Sequence, residues 1–474
     1  MITDPIAEGA LALSRRLSNR ELSCRELMSL TLDRIATQDR IFNAIPILAD
    51  RDALMAEAAA CDEEIARGHW RGWLHGIPQA IKDLAHAKGL RTTWGSPLFA
   101  DFVATEDSIH VARMRAAGAI IIGKTNTPEF GLGSHTYNSI HGTTRNAHAP
   151  ALSAGGSSGG AAVALSRGFL AVADGSDMGG SLRNPAGWNG VFGFRPSFGR
   201  VPQTVADEAY LGQLATDGPM GVTVADVAQL LATQSGYHPD APFSLADEPG
   251  LADATPARGQ GLRIGWLGNY HGHCATEAGV LPLCEQALRH FEELGAVVEP
   301  VQMPFDLERL WQAFCVLRQF GVTGRLRAIH ADPDRRKLMK PELQWEITEG
   351  LKLPADAVYR ASCDRTAWTR AVASLFKRYD VLALPSAQVF AFPAEWHWPR
   401  EIAGRTMDTY HRWMEIVVGP SMAGGPVCVV PAGTDSLGRH MGLQLWGPAR
   451  ADAAVLKIAA AFEAVARPVR IKLD

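Results

Sequence analysis

Apolar positions recur at helical spacing through the first seventy residues. The opening MITDPIAEGALALSRRL reads as an amphipathic helix with acids early and arginines late. Ser23 and Glu26 form a capping-box signature that opens an apolar periodic run through Ile35. A second helix is predicted over roughly 49–67. From Trp73 to about Pro202 the texture changes. Short β-type runs (76–81, 119–122, 169–173) alternate with glycine-rich turns and helical stretches, which predicts an α/β sheet with helices on both faces. Asp217-Gly218-Pro219 reads as a turn, followed by an amphipathic helix over 222–236. The stretch 238–261, rich in Pro, Asp, Ala and Gly, reads as an exposed connection. Beyond it the pattern predicts strands at 262–267 and 296–301 around a helix at 278–294. A mostly helical 303–375 follows, then a strand at 381–384, a strand pair at 427–430 and 443–446, and a closing helix from Asp452. There is no internal repeat, and the 238–261 connection divides either two domains or two lobes of one.

Composition narrows the class. Of 474 residues, 47% are hydrophobic and 20% charged, a globular balance. Lys plus Arg number 46 against 50 Asp plus Glu, a net charge of −4 with no basic tract, which argues against a nucleic-acid partner. The seven cysteines are scattered and form no CxxC pair, favouring reduced thiols in a cytoplasmic protein over a disulfide framework. No apolar run reaches the ~18 residues of a membrane span, and the N-terminus has no signal-peptide pattern.

Three segments could carry chemistry. Lys82, in GIPQAIKDLAHAKG, ends an apolar stretch. It is either a lysine with its head in water or a buried one, neutral enough to act as a base. Gly155 to Gly160 (GGSSGG) runs straight into the small-residue stretch AAVAL. It is either a flexible linker or a turn that aims backbone N–H groups and a helix N-terminus at one spot. Asp174 to Pro185 (DGSDMGGSLRNP) follows a strand-like run. Its glycines before Ser181 permit a tight turn with several N–H groups in parallel, as an oxyanion hole requires, or simply a strand-to-loop turn with capping serines. Two further patterns fail on physical grounds. Gly118 to Thr125 satisfies the P-loop expression, but its middle residues, Ala-Ile-Ile-Ile, form a strand rather than a phosphate-cradling loop. His271, His273 and Cys274 lack a matching second pair of metal ligands and read as a surface loop.

Taken in order, these segments resemble the amidase signature family of serine hydrolases. The lysine in an I-K-D context, GGSSGG and the G-S-D-x-G-G-S-x-R element follow that family's pattern, Ser157 lying 75 residues after Lys82 and Ser181 24 after Ser157. Supporting stretches are GAIIIGKTNTPEF from Gly118, GTTRN from Gly142, VFGFRPS from Val191, YDVLALP from Tyr379, and Pro431-Ala432-Gly433 with Gly442 to Leu445. The resemblance covers most of the chain. It implies one amidase domain over 1–474: a helical segment 1–70, a signature core 71–237 and a C-terminal lobe 262–474 that completes a large mixed sheet and the substrate pocket. It also implies roles. Ser181 would be the nucleophile, and Ser157, with its own peptide bond cis, would bridge it to Lys82 as neutral general base. The backbone N–H groups of Met178, Gly179, Gly180 and Ser181 would receive the oxyanion. Asp177 and Arg183 would brace the serine loops, and Gly131, Leu132 and Tyr137 would line the pocket. No metal or organic cofactor is implied, and none of the fifteen histidines is needed. The chain departs from the family pattern at Met178, where Thr or Ile is commoner, in the loop 147–150, and at Ala154, where Pro is frequent.

The expected activity is therefore hydrolysis of a C–N bond in a small-molecule amide, or of a carbamate or ester, by a soluble cytoplasmic monomer or homodimer. The absence of an N-terminal anchor argues against the membrane-bound lipid-amide branch. An alternative is the amidotransferase subunit of a tRNA-dependent complex, which would need partner subunits. A non-catalytic scaffold conflicts with the intact Lys82, Ser157 and Ser181. Several of the twelve tryptophans fall within 394–413, as either an aromatic pocket rim or ordinary packing, and the rim reading favours a hydrophobic or aryl substrate.

Overall fold

The computed structural model describes residues 4–204 and 208–466. The capping box forms: Ser23 Oγ accepts the Glu26 N–H, and the Glu26 carboxylate takes the Ser23 N–H at 2.8 Å. The helix it opens, Cys24–Phe42, outruns the apolar stretch that suggested it and stops where Asn43 turns left-handed. The N-terminal helix divides into a 3-10 turn, Ile6–Glu8, and the helix Ala10–Ser18; the first three residues lie outside the described ones. Nor are the first seventy residues wholly helical. Ile47–Leu48 (β1) is a strand, antiparallel to Ile120–Thr125 (β3), which in turn pairs in parallel with Pro78–Lys82 (β2). At two residues, β1 is too short to leave a periodicity in the sequence.

The larger sheet has eight strands: Val172–Asp177 (β4), Phe192–Arg195 (β5), Thr216–Gly221 (β6), Arg263–Trp266 (β7), Val297–Pro300 (β8), Val381–Pro385 (β9), Val427–Thr434 (β10) and His440–Trp446 (β11). Their order is β8-β7-β9-β11-β10-β5-β6-β4, parallel among β8, β7 and β9 and antiparallel elsewhere. This is the expected mixed α/β architecture. All five residues of β9 are buried, and since alternate side chains point to opposite faces, both faces are covered. The sheet draws strands from both sides of 238–261, a stretch that itself holds no helix or strand.

Two expectations need correcting. The strand expected at 169–173 starts at Val172 and runs on to Asp177, so Asp174 to Asp177 are strand residues and not the beginning of a turn. Asp217-Gly218-Pro219 is no turn either, but the middle of β6. Proline lacks a ladder donor and is confined to positions with a free edge. Pro219 has one, because it pairs with Asp174 of β4 while the β5 ladder reaches only Met220 and Gly221.

Candidate active site

Lys82 ends β2, one strand of the small sheet, and its backbone N–H donates to Asp174 Oδ1 of β4 at 3.0 Å, tying the two sheets together. Its side chain is 1% exposed. The ammonium nitrogen lies 2.7 Å from Ser157 Oγ, 2.8 Å from Ser158 Oγ, 2.9 Å from Ser176 Oγ and 3.2 Å from the Ser176 carbonyl. Every partner is neutral. Burial drives the lysine pKa down to about 7, against the pull of Asp174, Asp217 and Asp177. A neutral amine keeps a lone pair that an ammonium lacks, so it can accept a proton from one hydroxyl while donating to others.

The serines arrive on two turns. The first passes through a cis Gly156–Ser157 peptide into the buried helix Gly159–Ser166. Gly160 has to be glycine, because a Cβ there would lie 2.8 Å from the Asn126 carbonyl oxygen. The second turn follows β4 and carries Ser181, 6% exposed. The Ser158 N–H donates to the Ser181 carbonyl at 3.2 Å, which seats one turn against the other.

The second turn is held by a buried charge network. The Asp177 carboxylate accepts from the N–H groups of Gly180 (2.9 Å) and Leu182 (3.0 Å), from Arg183 at 2.9 Å on each oxygen, and from Arg195 at 3.0 Å. Burial alone would raise its pKa, but the two guanidiniums hold it well below the usual carboxylate range. Arg183 also donates to the Val417 carbonyl, Gln444 and Ser421. One expectation changes here. The Gly180 N–H is committed to Asp177 and is not free for an oxyanion. Among the described residues, the N–H groups of Met178, Gly179 and Ser181 donate to no protein acceptor.

Around these turns the walls are mixed. A Cβ on Gly131 would lie 3.5 Å from Ser157 Oγ, so its glycine backbone faces the serine directly. Leu132 is buried, and its carbonyl takes the Lys340 ammonium. Tyr137 stands further out, its hydroxyl 3.4 Å from Glu342 and its ring under Lys340 and beside His397. Phe314 and Met414 face Gly179, and Val417 packs on Gly180. Met178 meets a cluster that the sequence did not announce. Arg318 donates to Glu346 (2.6 Å) and to the Tyr410 hydroxyl (2.7 Å), and its third nitrogen points at the Met178 sulfur at 3.3 Å. Arg318 and Glu346 lie on separate helices, Leu307–Ala331 and Pro341–Gly350, and no local spacing links them. Asp174 and Ser176 also went unread as Lys82 partners. Their place in β4 was the one signal that could have found them, since alternate residues of one strand share a face.

Other singled-out residues are accounted for. Lys124 is buried in β3 and donates to Thr92 and the Ala85 carbonyl; no phosphate-binding loop surrounds it. His273 and Cys274 do meet a third potential ligand, Glu415, with all three ligand atoms within 4.8 Å. Glu415 is already engaged, however, by His273 at 2.7 Å on one oxygen and Arg412 at 2.9 Å on the other. The cluster reads as an ion-pair network in which Arg412 supplies the cation. All seven cysteines are free thiols. Trp413 is core, stacked on Trp188, whereas Trp396 is exposed and Trp398 lies under the Arg400 guanidinium. No helix among the described residues is long and apolar enough to cross a membrane.

The chain is similar to known amidases. The family model for Amidase matches residues 26–456. An acylamidase of Rhodococcus erythropolis is 34% identical over 462 residues, covering 96% of this chain and 95% of that protein. A glutamyl-tRNA(Gln) amidotransferase subunit from Thermosynechococcus vestitus matches at the same 34% identity, over 475 residues, covering 95% of this chain and 96% of that protein. The crystal structure of a bacterial aryl acylamidase of the amidase signature family superposes with a TM-score of 0.91 at 29% identity, covering 96% of each chain.

Proposed function

This chain belongs to the amidase family, and from that membership we propose that it hydrolyses a hydrophobic or aryl amide through an acyl-enzyme on Ser181. The observation that carries the reading is Lys82, stripped of solvent and hydrogen-bonded only to neutral groups among the described residues, with its nitrogen 2.7 Å from Ser157 Oγ and the Ser181 turn docked alongside. In the proposed cycle Ser181 Oγ attacks the amide carbon. Its proton passes to Ser157 as Ser157 releases its own to Lys82. The oxyanion is received by the N–H groups of Met178, Gly179 and Ser181, with Gly180 assigned instead to holding the turn. On collapse the proton returns by the same route to the departing amine, and water then releases the acyl group. A carbamate or ester enters the same cycle, differing only in its leaving group. Support for an apolar acyl portion comes from Phe314, Met414 and Val417 around Gly179 and Gly180, and from the acylamidase relatives.

The test is covalent. A fluorophosphonate is expected to leave a single adduct, mapping to Ser181 by peptide mass, on wild-type protein and none on the Lys82→Met variant. An adduct on another serine overturns the assignment. The amidotransferase relatives support a second reading, in which the chain gains activity only with partner subunits. Absence of labelling together with co-purifying subunits favours that reading.

The base also sets a pH profile. Lys82 must be neutral to accept the serine proton, and it is neutral above about 7. kcat/KM is therefore expected to fall about tenfold per pH unit below that point and to level off above it. A lysine at its ordinary value of 10.5 would leave activity still climbing at pH 9. Initial rates between pH 5 and 9 distinguish the two, and a flat profile removes Lys82 as the base.

A further inference from the structure

Across Asp174, which holds the Lys82 backbone N–H, lies a second buried titratable group that the cycle above does not use. His110, on the helix Ile109–Ala116, is 1% exposed and stands between two carboxylates. Its Nε2 is 3.4 Å from Asp174 Oδ2, and its Nδ1 is 3.9 Å from Asp217 Oδ2. Asp174 is the residue whose other oxygen holds the Lys82 backbone N–H. A neutral imidazole has one N–H and one lone pair, so it would turn a lone pair toward one of the two carboxylates; the imidazolium turns an N–H toward each, the one on Nδ1 meeting Asp217 as an ion pair without a hydrogen bond. The neighbouring charges are those of Lys82 and Asp83 from the end of β2, Lys124 from β3, Asp174 and Asp177 from β4, and Asp217 from β6. Of these, Lys124 is paired with Asp83 at 3.8 Å, and Asp177 is neutralised by Arg183 and Arg195. Asp174 and Asp217 both act on Lys82, and among the described residues His110 is the basic side chain set against the two of them, Lys124 reaching Asp174 alone of the pair.

We propose that His110 is a positioning residue for catalysis: as an imidazolium it takes up the positive charge that Asp174 and Asp217 would otherwise hold on Lys82, and so keeps the lysine available as a neutral base. The proposal rests on the reading of Lys82 as base only for its effect on rate, not for its effect on the lysine. With both carboxylates ionised, the Asp217 one against a burial that pushes it up and with His110 pulling it down, two negative charges and one positive leave this set at −1. Replacing His110 by a neutral side chain leaves −2, which stabilises the ammonium form of Lys82. Removing Asp217 as well restores −1. The histidine is accordingly pushed above its ordinary value, burial opposing its charge and Asp174 and Asp217 outweighing burial.

The experiment follows Lys82 directly. In protein labelled with 13C and 15N at lysine, the Lys82 side-chain signal is identified by its loss in Lys82→Met and titrated in wild type, His110→Gln and His110→Gln/Asp217→Asn. The midpoint is expected to rise by on the order of one pH unit in the single variant and to return to the wild-type value in the double. The acid limb of kcat/KM should move with it. A midpoint that does not move, or moves down, in His110→Gln overturns the proposal, even if turnover falls. A midpoint that rises while the kcat/KM limb stays put upholds the action of His110 on the lysine, and overturns its role in catalysis together with Lys82 as the base. Should the variant fail to fold, the wild-type imidazole decides. 15N shifts are expected to show both His110 nitrogens protonated at pH 7, and a neutral ring there overturns the proposal.

Discussion

Ser181→Ala is expected to lower kcat/KM by on the order of 10⁴-fold or more, with the fold unchanged. The expectation rests on how the turn is built. It is held by Asp177 through the N–H groups of Gly180 and Leu182 and the side chain of Arg183, none of which involves the Ser181 hydroxyl. Removing one oxygen from a 6% exposed side chain therefore takes away the nucleophile without releasing its support. The check is turnover of the best amide from a substrate screen, with the melting temperature and fluorophosphonate labelling measured on the same preparation. Residual activity within tenfold of wild type, on protein that melts normally, places the nucleophile elsewhere.

Lys82→Met is expected to cost at least on the order of 10²-fold, the usual contribution of a positioned general base, and to act on kcat far more than on KM. In the proposed relay the lysine acts on substrate through Ser157, to which its nitrogen is hydrogen-bonded at 2.7 Å, so its loss is expected to leave ground-state binding untouched. Methionine fills most of the space and avoids the cavity that alanine would open at this buried position. In the proposed relay Lys82, Ser157 and Ser181 act as one unit, so the Ser181→Ala/Lys82→Met double variant is expected to be no slower than Ser181→Ala alone. Losses that multiply in the double variant indicate independent roles and break the relay. Steady-state kinetics on the three proteins decide it.

The legible parts of this protein share one property: their cause lies within a few residues. The Ser23–Glu26 box depends on two side chains three apart, and the structure closes it as expected. The run 119–122 is strand because nothing in Ala-Ile-Ile-Ile can form a phosphate loop, and Lys124 is buried in that strand. The small-residue stretch after GGSSGG forms the buried helix that the pattern suggests. What misled was equally local. Gly218-Pro219 carries the composition of a turn, yet pairing with β4 on one side and a free edge on the other make it a strand. The strand β1 exists only because Ile120–Thr125, far along the chain, offers it an edge.

By itself the sequence determined the family, the mixed α/β class, and three segments whose order and spacing single out Lys82, Ser157 and Ser181, because motifs and periodicity are properties of neighbouring residues. Only the tertiary structure decided what those residues feel. It commits the Gly180 N–H to Asp177, gathers Arg318, Glu346 and Tyr410 from separate elements with Arg318 against Met178, and stations His110 between Asp174 and Asp217. Above all it removes water from Lys82 and brings its pKa near neutrality. Desolvation and charge proximity are summed over everything within several ångströms in space, and a linear chain does not record which residues those will be.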